Sequence, residues 1–116
     1  LVESHVFSKK EYDEILHPDV LLLKHFPRHE KFANGKFWGL ASVRGQIIKH
    51  GFKMKWHNIG NGKVQLRLAV AIVNHKIFLC QWYVKRDDKT DQRELNRFKI
   101  KIQKVTENDY EVRGIL

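Results

Sequence analysis

Cysteine is almost missing from this chain: Cys80 is the only one among 116 residues. A single thiol excludes an internal disulfide framework. Its position in an apolar alternation reads as a small buried side chain, and no neighbour is of a kind that would hold a thiolate. Proline is also scarce, with Pro18 and Pro27 the two present. No apolar run approaches the roughly 18 residues of a membrane span, and no signal-peptide pattern is visible. Those two absences point to the cytoplasm and away from a membrane. The chain opens on Leu1 rather than methionine, so a leader upstream of it stays open. Neither G-x-S-x-G, a Walker loop nor a Rossmann fingerprint occurs, and the glycine spacings read as turns. No cofactor is therefore expected. Acidic residues are in short supply as well: 13 Asp and Glu against 22 Lys and Arg, a formal charge of +9.

That imbalance suggests an anionic partner, of which nucleic acid is the commonest. What remains is ordinary for a globular chain: 42% hydrophobic and 11% aromatic residues. The length allows one domain, 1–116, able to bury a core without disulfides or metals.

The chain is organised around residues 63–86, KVQLRLAVAIVNHKIFLCQWYVKR. Val64, Leu66, Leu68, Val70 and Ile72 alternate with Lys63, Gln65 and Arg67, the period of a strand with one buried side. Asn74-His75 reads as a tight turn. The returning arm is apolar on both faces, as a strand covered on both sides would be.

Before it, Ser8-Lys9-Lys10-Glu11 is a capping-box pattern with Phe7 and Tyr12 placed as a staple. It predicts a short helix over 7–16 that stops at His17-Pro18. Val20 to Leu23 fits a strand or a helical turn, and Asn34-Gly35 marks a turn. Leu40, Val43, Ile47 and Ile48 share a helical face, which predicts a second helix over 39–50 ended by Gly51. Phe52, Met54 and Trp56 then alternate with Lys53, Lys55 and His57, and Gly60-Asn61-Gly62 turns into the central hairpin. Residues 87–94 read as a charged loop. Phe98, Ile100 and Ile102 alternate with Arg97, Lys99 and Lys101, and Tyr110 and Val112 with Glu111 and Arg113, which predicts a closing pair of strands.

The expected fold is therefore α+β: N-terminal short helices packed on a curved antiparallel meander sheet of four to five strands. The alternation places Lys53, Lys55, Lys63, Arg67, Arg97, Lys99, Lys101 and Arg113 on the face the helices leave open. Such a surface would bind an anion through salt-dependent phosphate contacts; a solvated face that keeps a sheet edge soluble is the alternative. A pocket between helices and sheet would be lined by Phe52, Met54, Trp56, Leu68, Trp82 and Phe98 and would take a small apolar ligand. His25 and His29 are separated by Pro27, and no carboxylate or cysteine stands at a zinc-ligand spacing, so no metal is expected. Asp87, Asp88, Asp91 and Glu94 read as surface carboxylates. An exposed sheet face makes a homodimer reasonable.

Two families resemble parts of this pattern. Trp38-Gly39-Leu40-Ala41-Ser42-Val43-Arg44, the hairpin 63–86 and the stretch from Arg97 through Val112 resemble the nuclear transport factor 2-like superfamily. That resemblance implies a cone of helices and curved sheet around an apolar pocket. The catalytic Asp and His positions of its enzyme branches have no clear counterpart here. Asn58 to Lys63 with Leu66 to Ile72 resembles RelE- and HigB-type toxin ribonucleases. That resemblance implies metal-independent mRNA cleavage, with Arg67, His75, Tyr83, Lys85 and Arg86 in acid–base and phosphate-stabilising roles. A non-enzymatic binding domain ranks first and the ribonuclease second.

Overall fold

A computed structural model describes residues 7–62 and 64–107. Its frame is a four-stranded antiparallel sheet in the order β1-β2-β3-β4, each strand beside its sequence neighbour. The strands are β1 (Trp38–Val43), β2 (Gln46–Asn58), β3 (Val64–Val73) and β4 (Lys76–Val84). The α+β class and the meander are as the sequence implies. Register shifts between Leu40 and Ser42 and between Ala69 and Val70 interrupt the pairing. Bulges of this kind bend a strand and increase its twist, which gives the open sheet its curvature.

One face carries the N-terminal helical layer. Ser8 caps α1 (Lys9–Glu11) in the reciprocal geometry with Glu11, and the Phe7 and Tyr12 rings stack at 6.2 Å. The predicted stop at Pro18 does not occur. A π-helical turn, Tyr12–Leu16, widens the backbone ahead of α2 (His17–Leu21), so Pro18 sits in the first turn of a fresh helical segment. A proline there needs no N–H partner. A 3-10 turn, Leu22–His25, completes the run, and a second follows at Glu30–Ala33. Leu16, Val20 and Leu23 descend onto Met54, Trp56, Leu66 and Leu68 of the sheet. Trp56 Nε1 donates to Asp19 Oδ2 at 2.9 Å, and Lys31 Nζ donates to Asp19 Oδ1 at 2.7 Å. Indole, carboxylate and ammonium thus tie layer to sheet.

The helix expected over 39–50 is a hairpin. Arg44 and Gly45 take left-handed φ of 52° and 80°, the backbone of a two-residue turn between strands. Ala41, Val43 and Ile48 face one way as strand residues. Three glycines, at 39, 45 and 51, and branched Val43, Ile47 and Ile48 all oppose a helix here. Asn74 and His75 form the predicted turn, both with positive φ. Residues 60–62, expected as a turn, belong to the short helix α3 (Ile59–Gly62).

The difference at the C-terminal side is larger. Residues 88–106 are neither charged loop nor the first of the closing strands but one helix, α4 (Asp88–Thr106), capped by Asp87, whose carboxylate accepts from Thr90 N. The second expected strand, at 110–113, lies outside the described residues. Leu95, Phe98, Ile102 and Val105 are buried at spacings of three, four and three, the period of a helix. Ile100, expected to alternate with them, is 57% exposed. This helix lies on the face expected to be open and packs on Ala41, Ile48, Ala69 and Ala71. Small alanines let it approach the sheet closely. The sheet is therefore sandwiched between two helical layers, with an apolar core on each side. No helix among the described residues is long and apolar enough to cross a membrane.

Candidate anion site

Alternation along β2 and β3 sets the site. Lys53 pairs with Ala69 and Lys55 with Arg67, so these side chains point to the α4 face. On β4, Tyr83 is the partner of Arg67, and Lys85 N donates to Gln65 O at 2.9 Å. Lys85 stands two residues beyond Tyr83 and so follows it on that face. The first turns of α4 bring Asp91 over the same region: Tyr83 Oη donates to Asp91 Oδ1 at 2.9 Å with both residues buried. Lys53, Lys55, Arg67 and Lys85 thus meet near the start of α4.

Arg67 is the base of the group and only 4% exposed. Its Nη2 donates to Gln65 Oε1 at 3.0 Å, and Nη1 donates to the Leu66 and Trp56 carbonyls at 3.3 and 3.5 Å. Its Nε has no acceptor among the described residues. Among the described residues Lys53, Lys55, Arg67 and Lys85 form no ion pair. Buried arginine is ordinarily matched by a carboxylate, because desolvating an unpaired charge costs several kcal/mol, roughly.

The electrostatics record this shortage. Burial lowers the pKa of Lys53; Asp91 pulls it back up, and Lys85 and Arg67 push it down. Burial lowers Lys55 too, with Lys53, Arg67 and Lys85 adding to the effect. Arg67 is lowered by burial against the opposing influence of Tyr83 and Asp91. Burial, followed by the Asp91 charge and hydrogen bond, raises Tyr83 beyond the usual range of a phenol. Lys55 Nζ donates to Gly35 O at 2.6 Å. It lies over Gly39, where an added Cβ would stand 3.1 Å from Nζ. Glycine at that position makes room for the ammonium.

Of the eight expected anion-binding residues, the structure gathers Lys53, Lys55 and Arg67. Lys63 and Arg113 lie outside the described residues. Arg97, Lys99 and Lys101 are exposed on α4 rather than on a strand. Arg97 meets Glu94 at 3.6 Å, and Lys101 Nζ donates to Cys80 O at 3.2 Å. Of the ribonuclease set, Arg67, Tyr83 and Lys85 come together. His75 sits in the β3–β4 turn, six residues along β3 from Arg67 to Val73 and hence about 20 Å away. Arg86 is exposed beyond β4. Asp91 is the member that sequence reasoning placed elsewhere. Its signal was present in the pattern Asp91, Leu95, Phe98, Ile102, one helical face with the carboxylate at its start.

The expected pocket residues divide between the two layers. Phe52, Met54, Trp56, Leu68 and Trp82 belong to the N-terminal side and Phe98 to the α4 side. Met54, Leu68 and Phe98 are fully buried, and Trp56 stacks on Trp82 at 5.6 Å. These side chains fill the two cores. Among the described residues no three His, Cys, Asp or Glu side chains are grouped to hold a metal ion. No family model, curated protein or solved structure matches the chain.

Proposed function

We propose that this protein is a binding domain for a phosphate-bearing anion, held by Lys53, Lys55, Arg67 and Lys85. The observation that supports the reading is the burial of Arg67 beside three further cations, with no ion pair to a carboxylate among the described residues and only Asp91, which Tyr83 already engages, acting on it from nearby. A fold that bears this cost without return in stability keeps it for a ligand that brings the missing charge. Arginine offers two donors in a planar fork to phosphate, and the lysines add point charges. An anionic ligand fits better than an apolar one, since the candidate apolar positions are occupied by their own packing.

The test is binding of phosphate-bearing ligands, labelled RNA among them, at about 50 mM and about 200 mM salt. The reading expects association that weakens steeply with salt and is lost in Arg67→Met. Equal association at both salt levels contradicts it. A second reading, ribonuclease action, is favoured by the meeting of Arg67, Tyr83 and Lys85 with Asp91. Cleavage of the RNA, abolished by Tyr83→Phe, would select it. Intact RNA after long incubation would dismiss it.

A further inference from the structure

The outer surface of α4 carries a second concentration of charge. Lys89, Arg93, Arg97, Lys101 and Lys104 are all exposed. At 3.6 residues per turn they fall within about 120° of one another. Lys89, Arg93, Arg97 and Lys104 lie on the side turned from buried Leu95, Phe98, Ile102 and Val105, and Lys101, whose Nζ donates to Cys80 O, marks the edge toward the sheet. From Lys89 to Lys104 the stripe runs about 22 Å. Few acidic groups offset it among the described residues: Glu94 pairs with Arg97, and the capping Asp87, whose pKa is lowered first by hydrogen bonds from Thr90, is lowered further by Arg93 and Lys89. Glu107 lies past the helix end. Lys104 forms no ion pair among the described residues.

The aromatic side chains indicate which polyanion fits. Proteins that grip single strands stack bases on exposed rings. None of the described Phe, Trp and Tyr side chains is exposed here, and those of Phe7, Phe37, Trp38, Trp56, Tyr83 and Phe98 are buried. Among the described residues the exposed large apolar groups are aliphatic: Ile15, Leu40, Ile47, Leu79 and Ile100. A surface rich in cations, with no exposed stacking ring among the described residues, suits a partner whose bases are already paired and whose phosphates face outward.

We infer that α4 is a docking surface for a nucleic-acid duplex, which its Lys89–Lys104 stripe engages through the backbone phosphates without reading sequence. The inference stands on residues other than the recess at Arg67 and can fail or hold apart from it. A duplex rises about 3.4 Å per base pair, so the stripe spans roughly six to seven pairs.

The experiment measures binding of the whole chain to a duplex of about 14 base pairs, twice that stretch, and to either strand alone. Three proteins are compared: the parent, the five-fold glutamine variant of Lys89, Arg93, Arg97, Lys101 and Lys104, and Arg67→Met. All five positions are exposed, and thermal unfolding verifies that the variant folds. Lys99→Gln, off the stripe, serves as the charge control. The parent is expected to prefer duplex over single strand and to bind two unrelated sequences alike. Each phosphate contact should contribute about 3.5-fold to the loss between about 50 mM and about 200 mM salt, and the glutamine variant should forfeit most of that dependence. Unchanged salt dependence in that variant, or tighter binding of the single strand, overturns the inference. Retention of duplex binding by Arg67→Met, with loss of its response to inorganic phosphate, would separate the two surfaces. DNA and RNA duplexes tested side by side identify which one is bound.

Discussion

Arg67 and Tyr83 face each other across β3 and β4, and their burial defines what single residues contribute here. Tyr83→Phe removes the only hydrogen bond Asp91 accepts from a side chain among the described residues. A buried carboxylate left without that donor should cost about 1–3 kcal/mol, read as a fall in the denaturation midpoint. Lys53 and Lys55 give the pH dependence. Their pKa values in the folded protein lie below the ordinary 10.5. As pH rises toward 10.5 the folded state therefore releases protons before the unfolded chain does, and stability increases through that interval. Tyr83 acts in the opposite sense, because its raised pKa keeps the folded phenol protonated while the unfolded one ionises above about 10. Its contribution is intact below that value and is lost above it. Denaturation at stepped pH should show the rise below 10 in the parent and no such rise in Lys53→Met/Lys55→Met.

Among the elements, α4 was the hardest to read. Phe98, Ile100 and Ile102 satisfy a strand's alternation, and the charged run before them resembles a loop. Leu95 and Val105 decide for the helix, and they are persuasive only once the window is extended to both. The hairpin at 38–58 failed for the converse reason: Leu40, Val43, Ile47 and Ile48 fit a helical face as well as two short strands, and the glycines, the branched side chains and the left-handed turn at Arg44 and Gly45 separate the two. The capping box, the staple and the Asn74-His75 turn were legible because each depends on chemistry a few residues apart. The candidate site was half legible. Strand alternation grouped Lys53, Lys55 and Arg67, but the arrival of α4 and Asp91 over them is tertiary. Two glycines test this packing. A Cβ at Gly51 would lie 3.1 Å from Ile48 and Phe98 side-chain atoms and 3.2 Å from Ile102. Gly51→Ala should therefore cost about 1–3 kcal/mol as α4 is pushed away, measured by denaturant unfolding. Gly39→Ala meets the flexible end of Lys55 instead. It should leave stability within about 0.5 kcal/mol and weaken phosphate binding by displacing that ammonium, which titration calorimetry would record.

On the scale of the whole molecule, the excess charge of +9 divides into two kinds. The α4 stripe is solvated and bears little cost, as surface cations usually do. At the other group Arg67 is desolvated and Lys53, Lys55 and Lys85 are half-buried, and its members repel one another across the sheet face. A domain of this size has only about 5–15 kcal/mol of stability, so a buried cation without an ion pair among the described residues is a considerable fraction of it. The account therefore expects the free protein to be held below the stability its two cores would allow, and a bound anion to restore part of it through mass action.

The most direct test is the thermal midpoint of the parent and of Arg67→Met as inorganic phosphate is added at constant ionic strength. The account predicts that the variant begins as stable as the parent or more so, by up to about 4 kcal/mol, and that phosphate raises the parent's midpoint while leaving the variant's unmoved. A variant that starts out less stable, together with a phosphate response equal in both proteins, would contradict it.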